Sequence, residues 1–200
     1  MRFLSLIRRM GCQLDSLSSA PVGDKGSQIA EFAISAPLLV VLTVGIFDFS
    51  GAFTLKEKVM SAAQQGSALA ANQTTLDLSN PNPDSVAAVR DAVFNYLANE
   101  KVLARANQGS CVPGSAPAQT GLKWTYTING CGNITTDNLI ITIDRGYVFT
   151  SGTENIASSH VSVSYPYHWE FDRVIGLVAP GANYAPTTQI TAEAIAQNQS

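Results

Sequence analysis

The segment "KGSQIAEFAISAPLLVVLTVGIFDF", residues 25–49, contains an apolar run long enough to cross a membrane. From Phe32 to Leu55, about 24 residues, Asp48 is the only charged side chain. As a helix this run spans roughly 36 Å, which is enough for a bilayer with some tilt. We therefore predict a transmembrane helix here, with the charged triplet Lys56-Glu57-Lys58 at its far interface.

The apolar run divides the chain into three predicted regions. Residues 1–26 are rich in Ser, Gly and basic residues, lack a secretory apolar core and are typical of a cytoplasmic leader. Residues 27–72 form the hydrophobic helix and its Ala- and Gln-rich extension, and residues 73–200 form an exported domain. Four basic and two acidic residues give the leader a net charge of +2, whereas the remainder has a net charge of −5. Because basic segments resist translocation, the leader is expected on the cytoplasmic side.

The exported region has the pattern of an α+β domain. Residues 83–109 repeat apolar side chains at helical spacing, at Val86, Val89, Val93 and Leu97, and predict one amphipathic helix that lies on a sheet. Later segments alternate or are β-branched, which predicts an antiparallel sheet. These segments are "LKWTYTI" (122–128), "LIITIDRGYVF" (139–149), "HVSVSYPYHW" (160–169) and "QITAEAIA" (189–196). The loop before them is "CVPGSAPAQTG", and "FDRVIGLVAPG" is a short apolar helix or docking loop.

The three cysteines agree with export. Cys111 and Cys131 lie in the polar half of the chain, whereas Cys12 lies in the leader. The pair predicts a disulfide in an oxidising compartment, the alternative being two unrelated buried thiols.

No enzyme, metal or nucleic-acid signature is found in the sequence. The two histidines, His160 and His168, have no Cys or Asp at ligand spacing, and structural or surface roles are expected. No nucleophile motif, phosphate-binding glycine loop or paired acids are present. The sequence has no basic stripe with interleaved aromatic residues, so it does not favour nucleic-acid binding. We therefore predict a non-enzymatic protein that needs no cofactor or metal.

Glu31 is the residue that a membrane helix should avoid. A carboxylate near the bilayer core costs a few kcal/mol unless it is paired, about 3 kcal/mol on insertion scales. Cleavage between Gly26 and Ser27 would create an α-amino group about one helical turn from Glu31. That charge could pair with Glu31 in the same helix or in a neighbouring one, where it would fix axial register. The alternative is an interfacial acid that favours the helix dipole.

The residues from Gly26 to Phe32, "GSQIAEF", match the class III (type IV) prepilin pattern of glycine, four residues, glutamate and an aromatic. The longer segment 27–71 closely resembles the N-terminal signature of TadE-like proteins of tight-adherence (Tad/Flp) pilus systems. The matching positions are Pro37, Gly45-Ile46, Asp48-Phe49, Gly51 and Gly66-Ser67-Ala68. A weaker similarity covers "HVSVSYPYHWEF" and "ITAEAIAQ" near the end of the chain.

The resemblance implies a minor pilin or pseudopilin with a small pilin-like domain behind its helix. It implies cleavage after Gly26 by a prepilin peptidase, and charge pairing by Glu31 beside Phe32 during assembly. The implied partners are sister minor pilins, an Flp-type pilin and the inner-membrane Tad assembly platform. The implied location is the bacterial inner membrane, single-pass, with the C-terminal domain periplasmic or extracellular and possible incorporation in a pilus. The alternative function is a signal-anchored periplasmic binding module that is neither processed nor assembled.

The sequence leaves two interpretations open for each of two helix residues and for one aromatic cluster. Asp48 is either a solvated residue at the outer interface or a contact to a partner pilin or assembly factor. Pro37 is either a simple kink or a docking feature. Alternating aromatics at Tyr165, Tyr167, Trp169 and Phe171 are expected to form core on one face of a strand, or else a partner-binding surface.

Overall fold

A computed structural model describes residues 24–114, 116–171, 174, 181 and 187–199 of the chain. Most of the predicted leader 1–26 and most of the apolar segment 171–181 therefore lie outside the described residues. Two compact units are found, residues 1–43 and residues 44–200. The first contains the start of a long helix, and the second contains the rest of that helix together with a second helix and a sheet.

Helix α1 runs from Asp24 to Asn72 without interruption, with Pro37 in its interior. Proline has no N–H, so one backbone hydrogen bond of the helix is missing there. At its C-terminal end, the last carbonyl groups of a helix need partners from elsewhere. Gln199 donates its backbone N–H to the Ala71 carbonyl at 3.1 Å, and Arg145 donates from Nη2 to the Gln73 carbonyl at 3.0 Å. The end of α1 is thus fixed by the sheet and by the C-terminal tail.

Helix α2, Asp84–Asn99, follows a short loop that contains its capping residue. Asp77 accepts hydrogen bonds from the Ser85 backbone N–H at 2.8 Å and from the Ser85 hydroxyl at 2.7 Å. This carboxylate takes the place of a local cap, since Pro83 provides no side-chain cap. Burial opposes ionisation of Asp77, but the two hydrogen bonds from Ser85 outweigh it and lower the pKa of the carboxyl.

The predicted end of α2 near Gly109 is wrong. The helix ends at Asn99 because Lys101 adopts a left-handed conformation, with φ of 57°. The Lys101 N–H bonds to the Ala98 carbonyl and the Val102 N–H to the Leu97 carbonyl, which is the Schellman arrangement of a helix end. A lysine at this position gives no signal in the sequence, because glycine is the residue that normally marks it.

In the part of the chain that the structure describes, five antiparallel strands form one sheet in sequence order. They are β1 (Ala118–Thr120), β2 (Lys123–Ile128), β3 (Leu139–Ser151), β4 (Glu154–His168) and β5 (Thr187–Gln197). The four longer strands coincide with the four predicted segments. Strand β1 was not predicted: it has three exposed residues, too few for an alternating pattern. The α+β fold, with a long apolar helix, an amphipathic helix and an antiparallel sheet, is confirmed.

The hydrophobic core lies between one face of the sheet and the two helices. On the sheet, Trp124 pairs with Ile143, and Ile143 pairs with Val161, so that alternate residues of three neighbouring strands share one buried face. Helix α2 adds its predicted apolar stripe, and α1 adds side chains from its second half. The helical members of the core are Val59, Ala62, Ala63, Ala70, Val86, Val89, Val93, Phe94 and Leu97.

Candidate assembly helix and its contact with the sheet

The first turns of α1 expose large apolar side chains. Over an 18-residue window the mean hydropathy is 2.2, and the helix is long and apolar enough to cross a membrane. Ile29, Phe32, Ile34, Leu38 and Leu39 are all exposed. A helix that is apolar around its whole circumference is suited to a membrane or to a bundle of helices rather than to the surface of a soluble domain.

Glu31 lies among these apolar residues, one turn after Ser27. The Ser27 hydroxyl donates to the Glu31 carboxylate at 3.4 Å, a long hydrogen bond between exposed groups. The spacing shows that a group at position 27 reaches the acid along the helix. The charge pairing itself, and cleavage between Gly26 and Ser27, remain predictions.

Asp48 is not solvated, which was the first of the two alternatives that the sequence left open for it. Its side chain is only 6% exposed. The carboxylate accepts a hydrogen bond from the Tyr167 hydroxyl at 2.7 Å and another from the Phe171 backbone N–H at 2.8 Å. The Tyr167 hydroxyl also lies 2.9 Å from the Asp48 carbonyl oxygen. The acid is satisfied within its own chain, because the end of β4 reaches back to the helix.

The partner of Asp48 is held as a neutral phenol. Burial, and then the hydrogen bond to Asp48, raises the pKa of Tyr167 well above the ordinary 10.0. A neutral phenol can donate, whereas a phenolate would repel the carboxylate. Gly51 makes room for this ring: a Cβ at position 51 would lie 2.8 Å from the Tyr167 hydroxyl oxygen. The sequence showed both residues, but their proximity across the fold could not be read from it.

The aromatic cluster is divided between core and surface. Tyr165 is buried, and its hydroxyl donates to the Cys131 carbonyl at 3.3 Å. Burial raises the pKa of Tyr165 to about 12. Tyr167 and Trp169 are half-buried and form an edge-to-face pair with ring centroids 5.0 Å apart. Trp169 makes a second edge-to-face contact, at 5.3 Å, with Phe49 of α1. Only the first of the four aromatics is core in the predicted sense.

The predicted disulfide is present. Cys111 and Cys131 are joined, with their Cα atoms 4.8 Å apart and both residues fully buried. The bond ties the segment after α2 to the loop between β2 and β3. The third cysteine, Cys12, lies outside the described residues.

A second polar network fixes the same loop to strand β4. Asp137 is 4% exposed, and its carboxylate lies 2.8 Å from His168 Nε2. The backbone N–H of Ile134 donates to this carboxylate at 3.1 Å, and the Thr187 hydroxyl lies 3.0 Å from His168 Nδ1. His168 thus takes the structural role that we predicted, although its aspartate partner, 31 residues away, was missed.

An open cavity of about 270 Å³ lies beside α1 in the second compact unit, residues 44–200, which we call the body. Lys58 lines it and is already bound, with Nζ 2.8 Å from the Glu100 carbonyl and 3.5 Å from the Glu100 carboxylate. In the described part of the chain no three His, Cys, Asp or Glu side chains are placed to hold a metal ion.

Among the described residues, these features define an α+β protein with one long apolar helix that could span a membrane. Residues 26–68 match the model of the TadE-like protein family, which confirms the resemblance noted in the sequence. The matched segment lies entirely within α1 and ends before α2 and the sheet. No curated protein and no solved structure matches the chain. The family indicates involvement in a Tad pilus system, and TadE-like pilins are generally structural rather than catalytic.

Proposed function

We propose that this chain is a non-enzymatic minor pilin or pseudopilin of a Tad/Flp pilus. In this proposal a prepilin peptidase removes residues 1–26 at the inner membrane. The new N-terminus at Ser27 then begins the assembly helix, and the sheet domain stays on the periplasmic or extracellular side. The TadE-like match over residues 26–68 supports the proposal, because it contains both the cleavage site and the helix.

The position of Glu31 is the single observation that carries this function. The acid projects from an otherwise apolar and exposed stretch, and its carboxylate is within reach of position 27. Cleavage would add an ammonium group at that position. An ion pair of this kind lowers the cost of placing an acid in the membrane, and between two staggered helices it would set their register.

The exposed apolar surface of α1 supports a role in contact with lipid or with other apolar helices. Ile29, Phe32 and Ile34 are between 68% and 79% exposed, so the isolated chain leaves them to lipid or to other helices. We propose sister minor pilins, an Flp-type pilin and the inner-membrane Tad assembly platform as the proteins that replace lipid during assembly. Pro37 lies within this surface and belongs to the same proposed contact.

Processing is the decisive test. The mass of the membrane-extracted chain should correspond to a mature N-terminus at Ser27, and Gly26→Ala should accumulate the uncut precursor. Gly23→Ala, a glycine in the same leader, is the matched control and should be cut normally. An unprocessed wild-type chain would reject the pilin assignment and favour the alternative, a signal-anchored periplasmic binding module.

Assembly is tested separately from processing. Glu31→Gln should be cut normally but should fail to co-purify with its sister pilin, because the amide has no charge to pair with the new terminus. Glu57→Gln changes an exposed acid on the same helix and should leave co-purification intact. Equal co-purification of Glu31→Gln and wild type would remove the ion pair from the mechanism.

A further inference from the structure

We infer that the folded body rests on the outer surface of the bilayer, with the hydrocarbon edge at Phe47 and the headgroup layer around Phe49, Phe53 and Trp169. The inference extends the membrane anchoring in the proposed function. It places the end of the membrane span about two turns before the Lys56-Glu57-Lys58 triplet that marked it in the sequence.

The length of the helix supports this position. Ser27 to Phe47 is about 21 residues, or roughly 31 Å of helix, and a bilayer has a hydrocarbon core of about 30 Å. Counted from Ser27, the N-terminus of the proposed mature chain, a span that reached Leu55 would require roughly 43 Å, well beyond that thickness. Between Glu31 and Asp48 the helix has no charged residue. The uncharged stretch therefore ends where the hydrocarbon is expected to end.

Asp48 opposes deeper insertion of the body into the hydrocarbon core. Its carboxylate is bound to Tyr167 and to the backbone of Phe171, so this turn of the helix carries the end of β4 with it. Immersing Asp48 would immerse those polar partners as well. Placing a charged acid in hydrocarbon is energetically costly.

The side chains around Asp48 are those of a membrane interface. Phe47, Phe49 and Phe53 are 74%, 59% and 65% exposed, and Phe49 contacts the half-buried Trp169. Aromatic residues concentrate at the headgroup level of membranes. Phe49 lies roughly 3 Å beyond Phe47 along the helix, within an interfacial layer of about 5 to 8 Å, and Phe53, roughly 9 Å beyond Phe47, lies at its outer limit.

The charged residues that follow fit the same placement. Lys56 lies roughly 13 Å beyond Phe47, past the headgroups and in water. Lys58 forms an ion pair with Glu100 of the body, as expected for a residue in the soluble part of the chain. The aromatic patch, formed by Phe47, Phe49, Phe53 and Trp169, thus lies between an uncharged membrane span and a hydrated, charged turn. This position favours lipid, rather than a second protein, as the partner that covers the patch.

The two tryptophans of the chain provide the test. The full-length chain is reconstituted in phosphatidylethanolamine and phosphatidylglycerol vesicles that contain lipids brominated either near the headgroup end or near the methyl end of the acyl chain. In Trp124→Phe the remaining Trp169 should be quenched, about twofold more by the shallow bromines than by the deep ones. In Trp169→Phe the remaining Trp124, which is fully buried, should show little quenching by either lipid.

Trp124→Phe leaves a smaller ring in a fully buried site but breaks no hydrogen bond of the side chain. Trp124 Nε1 is buried without a hydrogen-bond partner in the described residues, so phenylalanine removes no bond there. A second measurement leaves both tryptophans in place: nitroxide labels at Phe53→Cys and Glu57→Cys in a Cys12→Ser background. The label at 53 should be accessible to oxygen, and the label at 57 to a water-soluble nickel complex.

The outcomes separate this inference from the proposed anchoring. If the chain floats with the vesicles but Trp169 is unquenched and the label at 53 is accessible only from water, the body does not contact the bilayer surface. That result would contradict this inference and leave the proposed anchoring by α1 unaffected. If Trp169 is shielded and the labels at 53 broaden through dipolar coupling, a second copy covers the patch and the inference is overturned. A chain that does not float would reject both.

Discussion

The two parts of helix α1, residues 27–43 and residues 44–72, share one continuous backbone but differ in what surrounds them. The first part has the higher hydropathy and exposes its large side chains, such as Ile34 and Leu38. The second part contains many small residues and is buried at Val59, Ala62 and Ala63. Hydrophobicity alone therefore did not decide which part enters the core of the protein.

Size and spacing explain the difference. The buried residues of the second part recur on one side of the helix, and small side chains let the backbone approach the sheet. At Gly66 a Cβ would lie 2.7 Å from Val93 Cγ2 and 3.2 Å from Val161 Cγ1. The first part has no such face, because large apolar residues surround it. It needs lipid or other helices, whereas the second part, from Val59 onward, already has its partners in the same chain.

The largest effect on the packed region is expected from removing the disulfide. Cys111→Ala with Cys131→Ala should lower the free energy of unfolding of the body by about 3 kcal/mol, because the 20-residue separation no longer restricts the unfolded chain. Urea unfolding of the full chain in detergent would measure it. Cys12→Ala is the control and should not change the midpoint. A double variant as stable as wild type would show that the bond does not hold the body together.

Close packing of α1 is tested next by Gly66→Val. The added methyl groups would meet the stiff side chains of Val93 and Val161, and we expect a loss of about 2 kcal/mol in the free energy of unfolding. Gly114→Val is the matched control, because no atom lies within 4 Å of a Cβ at position 114. Equal stabilities of the two variants would mean that α1 is not held at the distance the structure shows.

The contact between Asp48 and Tyr167 is tested by Tyr167→Phe. Loss of the phenol hydroxyl removes a hydrogen bond to a buried carboxylate, and we expect a loss of about 1.5 kcal/mol at neutral pH. Phe171 still donates its N–H to Asp48, so the acid is not left without a partner.

The same contact should make the stability of the body decrease at alkaline pH. The pKa of Tyr167 is raised in the folded state. The contribution of its hydroxyl to the free energy of unfolding is therefore complete below about pH 10 and is lost as the pH rises further. The urea midpoint of wild type should therefore fall above about pH 10. In Tyr167→Phe the fall should be smaller but present, since the pKa of Tyr165 is also raised, to about 12. An identical pH profile in the two proteins would contradict this role for Tyr167.

The smallest effect is expected in the first part of α1. Ile34→Ala removes a side chain that is 79% exposed, and it should change the free energy of unfolding of the body by less than about 0.5 kcal/mol. The same substitution should weaken co-purification with sister pilins if that surface is used for assembly. A loss of stability as large as that of Gly66→Val would remove the distinction between the two parts of the helix.

Local patterns were sufficient for most of the elements. The helical repeat that ends at Leu97 and the alternation in β2 to β5 were visible because each depends on neighbouring residues of one segment. The end of α2 was missed because Lys101 occupies a conformation that glycine usually takes. The contacts of Asp48 and of Asp137 were missed because their partners lie far away in the sequence, 119 and 31 residues distant.

By itself, the sequence determined the apolar helix, the acid at position 31, the α+β class and the cysteine pair, since each depends on composition or on spacing along a segment. Only the tertiary structure decided that Asp48 is buried, that Gly51 and Gly66 are points of close approach, and that Tyr167 is a hydrogen-bond donor to the helix. These properties arise where distant segments meet. A buried charge is stable only if the fold brings a donor to it, and no pattern along the chain states which residue that will be.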